Sequence, residues 1–476
     1  MWRIICLVTF SFFRVYSLNI FVRVVLGCLL FFLKFKFFSI GGVFYISRHF
    51  YVDRMSFYFV FLTFLLFIFV VLLEYNKLNS LFVFLCNFLL FFLVVCFMSK
   101  RALYFIVFFE GSFIFIFLII MLWGHKPERI EALNYFLIYS LIGSVPLIIF
   151  YVEATLNVSS GQHFMFKWYH YFCSWDLEDL ECENDAGYLF NSVYDYWQPT
   201  QVFYSQVIYY FFWMLIFFIK FPIFGLHLWL PKAHVESPVY GSMLLAGILI
   251  KLGVVGILRF IYSMKYFTFA WFLIGKVYYY ACFGLVLVSF ICRRQWDLKA
   301  FVAYSSVVHM SLIIFSVFSG CFLRVFGCLL MRFAHGLCSS SLFLNLKGFY
   351  LIRGSRSVYL NRGFLYLCPC LSLFWFLLTS SNCSLPIRLN FFSEVFLVFS
   401  GVFLKFSRVY VFFFNIFFCG LFCIFLYLYC SHGKRRLGFN YTGDLVLKYI
   451  YLLILLYHFF VLYFAFSVIR TSAMFF

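Results

Sequence analysis

Six ionisable side chains sit where the surrounding residues are almost wholly apolar. They are Glu110, Lys220, Lys251, His309, His335 and Glu394. Glu110 lies within residues 102–123, which otherwise carry no charge. Lys220 closes a long apolar run and is followed at once by Pro222 and Gly225. Lys251 is central to 239–258, His309 to 300–318 and His335 to 321–345, while Glu394 follows Pro386 in a run apolar from Leu389. A charge placed at the centre of a bilayer costs roughly 2.5–3.5 kcal/mol on insertion scales, so such a group points to function. Carboxylates, amines and imidazoles can all hold and release a proton. Burial raises a Glu pKa and lowers a Lys pKa, and a nearby opposite charge does the reverse. A Glu–Lys pair that opens and closes is therefore a proton valve. Taken singly, each residue has a plainer account: Glu110 and Lys220 as a purely structural ion pair, His309 and His335 as packed, hydrogen-bonded imidazoles. Taken together, six such groups in six runs read as a proton relay. His227 is a seventh candidate, because it follows the Pro222 break and would line any cavity there.

The elements that must position these groups follow from composition. The chain has 476 residues, 66% hydrophobic and 11% charged, with 36 Lys+Arg against 17 Asp+Glu. A soluble domain carries about 25% charged residues, so a soluble globule, a disordered chain and a nucleic-acid binder are excluded. The apolar runs do not alternate as barrel strands would. The expected class is an all-α polytopic membrane protein. Apolar runs long enough to span fall near 4–19, 20–33, 55–73, 80–98, 102–123, 132–152, 203–221, 239–262, 267–291, 300–318, 321–345, 363–380, 386–404, 409–431 and 445–469. The first two are short, and 363–380 with 386–404 reads as one helix broken at Pro386, which gives about 14 transmembrane helices in a single membrane domain.

Proline removes a backbone donor and clashes with the preceding turn. Inside a membrane the freed carbonyls need protein or cavity partners. Pro222 after Lys220 and Pro386 before Glu394 therefore mark two broken helices, read as corresponding elements of two inverted repeats. Arg259, Arg293, Arg294 and Lys299 read as span-end anchors, and Lys232, His234 and Glu236 as a connector between Pro231 and Pro238.

The segment 154–202 is the exception among short loops, with Asp176, Glu178, Asp179, Glu181, Glu183 and Asp185 close together. It reads as a solvated outer loop or as a docking surface for a neighbouring subunit. The clusters Arg353, Arg356, Arg362 and Lys434, Arg435, Arg436 would lie on the inner side by the positive-inside rule. The 17 cysteines include no C-x-x-C, so the usual zinc and iron–sulfur spacings are missing, and thiols in apolar runs behave as small hydrophobes. No metal site is expected. Arg3 and the apolar run after it resemble an uncleaved first helix, without a transit peptide. The 79 Phe exceed what a lipid-facing surface needs and read as codon bias.

The stretch K-F-P-I-F-G-L-H-L-W-L-P-K-A-H-V-E-S-P-V-Y-G-S-M-L-L-A-G-I-L-I-K-L-G-V-V-G-I-L-R at 220–259 resembles the antiporter-like, M-type membrane subunits of respiratory complex I (NADH:ubiquinone oxidoreductase). Further matches are F-F-E at 108–110, W-G-H-K-P-E-R-I-E-A at 123–132, Y-F-L-I-Y-S-L-I-G-S-V-P-L at 135–147, D-L-K-A-F-V-A-Y-S-S-V-V-H-M-S at 297–311 and A-H-G-L-C-S-S-S-L-F at 334–343. The A-H-V-E-S-P form is that of chain 4 rather than chain 5. The resemblance is strong over about 100–345, and outside it the ends match only in hydrophobicity. It implies that Glu110 is the family's fifth-helix glutamate and Lys220 the lysine of a broken seventh helix. Lys251 would be the eighth-helix lysine, His309 and His335 members of the central hydrophilic axis, and Glu394 the glutamate of a broken twelfth helix.

On that resemblance the domain divides into N-terminal helices (1–98), a first antiporter-like half (99–262) holding loop 154–202, a second half (267–431) and a final helix (445–469). The implied function is proton translocation coupled to electron transfer in other subunits, which would hold NADH, FMN, iron–sulfur clusters and ubiquinone. This chain would carry no cofactor. Its implied partners are lipids and the other membrane subunits, with chains 2 and 5 as neighbours. The implied location is the mitochondrial inner membrane, or a bacterial plasma membrane. A subunit of a multisubunit cation/proton antiporter is the alternative, and a scaffold that has lost pumping is a second.

Overall fold

A computed structural model describes residues 44–45, 49–52, 54–73, 80–124, 126–158, 212, 214–263, 270–317, 323–386, 388–402, 409–433 and 458. The expected spans 4–19 and 20–33, nearly all of loop 154–202, the cluster Lys434–Arg436 and the final span 445–469 except residue 458 lie outside these residues. A two-residue hairpin, β1 (Phe44–Tyr45) against β2 (Tyr51–Val52), precedes a series of helices. They are α1 (Arg54–Leu73), α2 (Ser80–Met98), α3 (Ala102–Trp123), α4 (Arg129–Val158), α5 (214–220) and α6 (Trp229–Glu236). Next comes α7, built from Val239–Leu244, a π-helical turn Leu245–Leu249 and Ile250–Ser263. Then follow α8 (Ala270–Arg293), α9 (Leu298–Val317), α10 (Leu323–Arg353), α11 (Pro369–Asn382), α12 (Leu389–Val402) and α13 (Val409–Ser431). Among the described residues, six helices are long and apolar enough to cross a membrane.

Helices that are apolar all round must be buried or face lipid, and both cases occur. Every residue from 239 to 259 is buried, so α7 is the axis of the molecule. Helix α4 is an outer helix: Leu137, Ile138, Leu141, Ile142, Val145 and Ile149 form an exposed apolar flank. Around α7 pack α1, α3 and α10, while α9 and α12 lie against α10. The α7–α10 crossing is close because both helices present glycine. A Cβ on Gly336 would come within 3.0 Å of the Gly247 carbonyl oxygen, as in small-residue crossings of membrane helices. Within α9 the hydroxyls of Ser305, Ser306, Ser311 and Ser316 each donate to the carbonyl three residues back, so the polar groups need no external partner.

Two expectations change here. Lys232, His234 and Glu236 are not in an irregular connector but on α6. Arg259 is no interfacial anchor: it is buried and donates to the Phe97 carbonyl at 2.8 Å, tying α7 to the end of α2. A guanidinium can leave the interface when carbonyls and ring faces replace water, and here the Phe105 ring lies 5.3 Å away.

Candidate functional site

The break after Lys220 is built by Pro222. Lacking an N–H, Pro222 cannot close the helical bond onto the Phe218 carbonyl, and the Ile223 N–H takes it instead at 3.3 Å. The next carbonyl, of Ile219, accepts the Trp229 indole N–H at 2.9 Å. The chain then turns through Gly225, whose φ of +86° lies in the left-handed region that glycine occupies freely, and re-enters helix at Trp229. Lys220 is thereby left at a helix end yet buried. Its Nζ lies 3.7 Å from Glu110 Oε2 on α3, an ion-pair distance longer than a hydrogen bond. The ammonium also rests 3.2 Å from the centroid of the Phe113 ring, with Phe109 and Phe136 further out. The aromatic faces supply what the loose carboxylate contact leaves, about 2 kcal/mol for a desolvated cation on a ring.

The second group is assembled from four helices. At the π turn of α7, the Ile250 N–H reaches back to the Leu245 carbonyl instead of that of Ala246. The Lys251 ammonium donates to the Ala246 carbonyl. A π turn inside an α-helix often marks a functional position, and here it supplies an acceptor for a buried ammonium. Lys251 Nζ is also 3.2 Å from His335 Nδ1 on α10. The rings of His335 and His309 are 5.3 Å apart, centre to centre. His309 Nδ1 on α9 is 3.2 Å from Glu394 Oε1 on α12. Lys251, His335, His309 and Glu394 thus form one file of buried ionisable groups crossing the helix bundle.

The structure brings the sequence candidates together as one pair, Glu110 with Lys220, and one file of four. Helices α5 and α7 are in close packing, since a Cβ on Gly253 would come within 2.9 Å of the Phe221 main-chain nitrogen. His227 belongs to the turn: its Nδ1 accepts the Gly225 N–H at 3.1 Å, and its ring stacks on Phe224.

Sequence reasoning passed over two neighbours, Arg332 and Cys419. Arg332 is fully buried one turn before His335, its Nε donating to the Cys328 carbonyl at 3.0 Å and its guanidinium 4.8 Å from the Phe59 ring. The signal was present, a charge inside an apolar run. Cys419 Sγ, on α13, lies 3.9 Å from His309 Nε2, and no spacing announced it. His234 is buried and stacked on Phe343. Towards one end of the bundle Arg356 contacts Glu236 Oε1 at 3.1 Å and Asp297 Oδ2 at 3.3 Å, while Lys299 donates to the Ser237 carbonyl at 3.0 Å. At the surface the Glu131 carboxylate, 2.7 Å from Lys232, holds that ammonium above the ordinary lysine value. No group of three or more His, Cys, Asp or Glu among the described residues has a metal-holding arrangement.

The family model described as NADH:quinone oxidoreductase/Mrp antiporter, transmembrane, matches residues 98–422. The NADH-ubiquinone oxidoreductase chain 4 of Ceratitis capitata is 34% identical over 384 residues, covering 79% of this chain and 77% of that protein. The chain 4 of Aedes aegypti is 36% identical over 338 residues, covering 70% and 67% respectively. Among solved structures, a chain of respiratory complex I from Thermus thermophilus with bound NADH superposes with a TM-score of 0.77 at 20% identity, covering 96% of this chain and 93% of that one. A chain of the membrane-bound sulfane sulfur reductase, an archaeal respiratory membrane complex, gives 0.75 at 15% identity, covering 96% and 92%. At these identities the two structures speak for the fold.

Proposed function

The chain belongs to the NADH-ubiquinone oxidoreductase chain 4 family, and from that premise we propose that it is a proton-translocating membrane subunit of respiratory complex I. The observation that carries this is the continuous file Lys251–His335–His309–Glu394, with the Glu110–Lys220 pair on adjoining helices. Protons pass among these side chains. Glu110 sets the charge state of Lys220 by approach and withdrawal, and Glu394 at the second helix break is the terminal carboxylate. Moving one charge against 100 mV costs about 2.3 kcal/mol, so the step needs a driven valve. A loosely paired lysine at a helix break suits that task.

The finer architecture goes with this proposal. The chain has about 14 transmembrane helices, and its two halves, 99–262 and 267–431, are inverted repeats. The two breaks, α5/α6 at Pro222 and α11/α12 at 383–388, are corresponding elements. NADH oxidation and quinone reduction occur in other subunits, and this chain holds no cofactor. Its neighbours are other membrane subunits, chains 2 and 5 among them, in the mitochondrial inner membrane, the assignment favoured by animal relatives bearing the chain 4 name.

The test uses the whole complex reconstituted in vesicles, with NADH oxidation and proton uptake measured together. Lys220→Ala is expected to abolish pumping in a complex that still assembles. Normal proton stoichiometry in that variant would overturn the assignment. A small assembly showing sodium-dependent proton flux without NADH oxidation would instead make the chain a cation/proton antiporter subunit.

A further inference from the structure

The second helix break holds a cluster of thiols and amides that the relay does not use. Helix α11 ends at Asn382, the chain passes through Cys383, Ser384, Leu385 and Pro386, and α12 begins at Leu389. Ser384 has φ +56°, so this turn is held in the left-handed region. Asn382 is buried, and its Nδ2 lies 3.6 Å from Cys423 Sγ on α13. Cys419, one turn earlier on α13, contacts the Asn382 carbonyl at 3.6 Å and His309 Nε2 at 3.9 Å. Cys423 lies one turn after Cys419 on α13, and Cys383 Sγ lies 3.7 Å from where a Cβ on Gly420, between them in the chain, would stand. Three thiols therefore cluster between His309 and the break: Cys419, Cys423 and Cys383.

Two further observations give this cluster an entrance and a polar lining. Cys383 and Ser384 are only half-buried, and Leu385 and Pro386 are exposed. The side-chain carbonyls of Asn382 and Asn390, both residues at least nine-tenths buried, have no hydrogen-bond partner among the described residues, and neither has the Ser384 hydroxyl. Two buried amide oxygens left unmet make the wall of the break polar rather than apolar. The cysteines do not close into a metal-holding group, so the chemistry offered is that of the half-buried Cys383 thiol.

We propose that Cys383, with Cys423 and Cys419 behind it, is a modification site for small soft sulfur electrophiles, entered at residues 383–386 of the break and ending on His309. With an alkyl methanethiosulfonate, the Cys383 thiolate attacks the sulfenyl sulfur and a new S–S bond forms as the S–S bond to the sulfonyl group breaks. Methanesulfinate leaves with the electron pair, and the thiol proton passes to solvent. The added group lies at the break beside Asn382. It blocks the polar space between His309–Glu394 and the break, so the subunit stops moving protons.

This rests on the relay role of His309 and Glu394, and the two are tested separately. The whole complex in vesicles is treated with a small, membrane-permeant methanethiosulfonate. NADH-driven proton translocation and adduct mass on this chain are then measured for wild type, Cys383→Ser and Cys370→Ser. Cys370 is exposed at the start of α11 and serves as a control. Expected are an adduct on Cys383, a severalfold fall in translocation restored by a reducing thiol, protection in Cys383→Ser and full sensitivity in Cys370→Ser. Overturning results are no adduct on Cys383, an adduct without loss of translocation, or Cys383→Ser as sensitive as wild type. Glu394→Gln without reagent judges the relay by itself. If that variant pumps normally, the relay fails, while the Cys383 adduct still reports on the site.

Discussion

Lys220 shows how much a single buried charge depends on its surroundings. Its carboxylate partner stands 3.7 Å away, and Phe113 covers the ammonium at 3.2 Å. Removing Glu110 leaves the lysine buried against rings alone. Glu110→Gln is therefore expected to pump severely less than wild type while the complex assembles, as read by proton uptake per NADH. Phe113→Leu removes the quadrupole but keeps the bulk. It forfeits about 1–2 kcal/mol of ammonium stabilisation, and proton uptake per NADH should fall. Unchanged uptake would show that the ring only packs. The identity of these residues was legible in the sequence, because each interrupts an apolar run. Their partners were not all so, since Lys251 and His335 are far apart in the chain and meet only through the glycine crossing of α7 and α10. The cysteines were read as inert, and for Cys86 and Cys96, buried on α2, the structure adds nothing to that. Cys419 differs because α13 happens to lay it on His309.

At the scale of elements, hydrophobic runs set helix ends closely where nothing else intervened. The helices α2, α3 and α13 begin and end with their apolar stretches at 80–98, 102–123 and 409–431. Helix α10 outruns its apolar stretch and continues to Arg353, carried by Leu346, Lys347 and Leu351, all good helix formers. The π turn before Lys251 is a matter of hydrogen-bond register, which no residue type announces. The Pro222 break was legible, because proline has one consequence in a helix.

Pro222→Ala returns an N–H that can bond the Phe218 carbonyl, so α5 is expected to extend past Lys220. Its ammonium then turns away from Glu110. Proton uptake should fall at least several-fold, with assembly intact on a native gel. Wild-type pumping in that variant would mean that the break is incidental. The crossing of α7 and α10 gives a prediction of the opposite kind. Gly336→Val puts atoms into a gap where even a Cβ has only 3.0 Å to the Gly247 carbonyl. Overpacking costs about 1–3 kcal/mol, and here the loss should appear as a lower melting temperature and poorer assembly together with the loss of pumping.

For the whole molecule, the formal charge of +19 conceals the working groups. Glu110, Lys220, Lys251 and Glu394 sum to zero, and the histidines add nothing when neutral. The surplus lies elsewhere, and part of it joins helices distant in the chain. Arg356, in the loop after α10, reaches Glu236 at the end of α6 and Asp297 at the start of α9, and it also donates to the Val235 carbonyl at 3.2 Å. Glu236 is 5% exposed, so its charge has little water to fall back on. The fork therefore ties the end of α6 to the start of α9. Arg356→Met leaves Glu236 buried without its cation. Breaking a largely buried pair in this way costs on the order of 3 kcal/mol, and the melting temperature of the solubilised complex should fall. Arg356→Lys restores one charge but not the fork, so it should recover stability only in part. Adding Glu236→Gln to Arg356→Met removes the stranded carboxylate and should return most of the lost stability. Pumping should stay low in the double variant, because the tie between α6 and α9 is still missing. If pumping returns with stability, Arg356 only neutralises a buried charge.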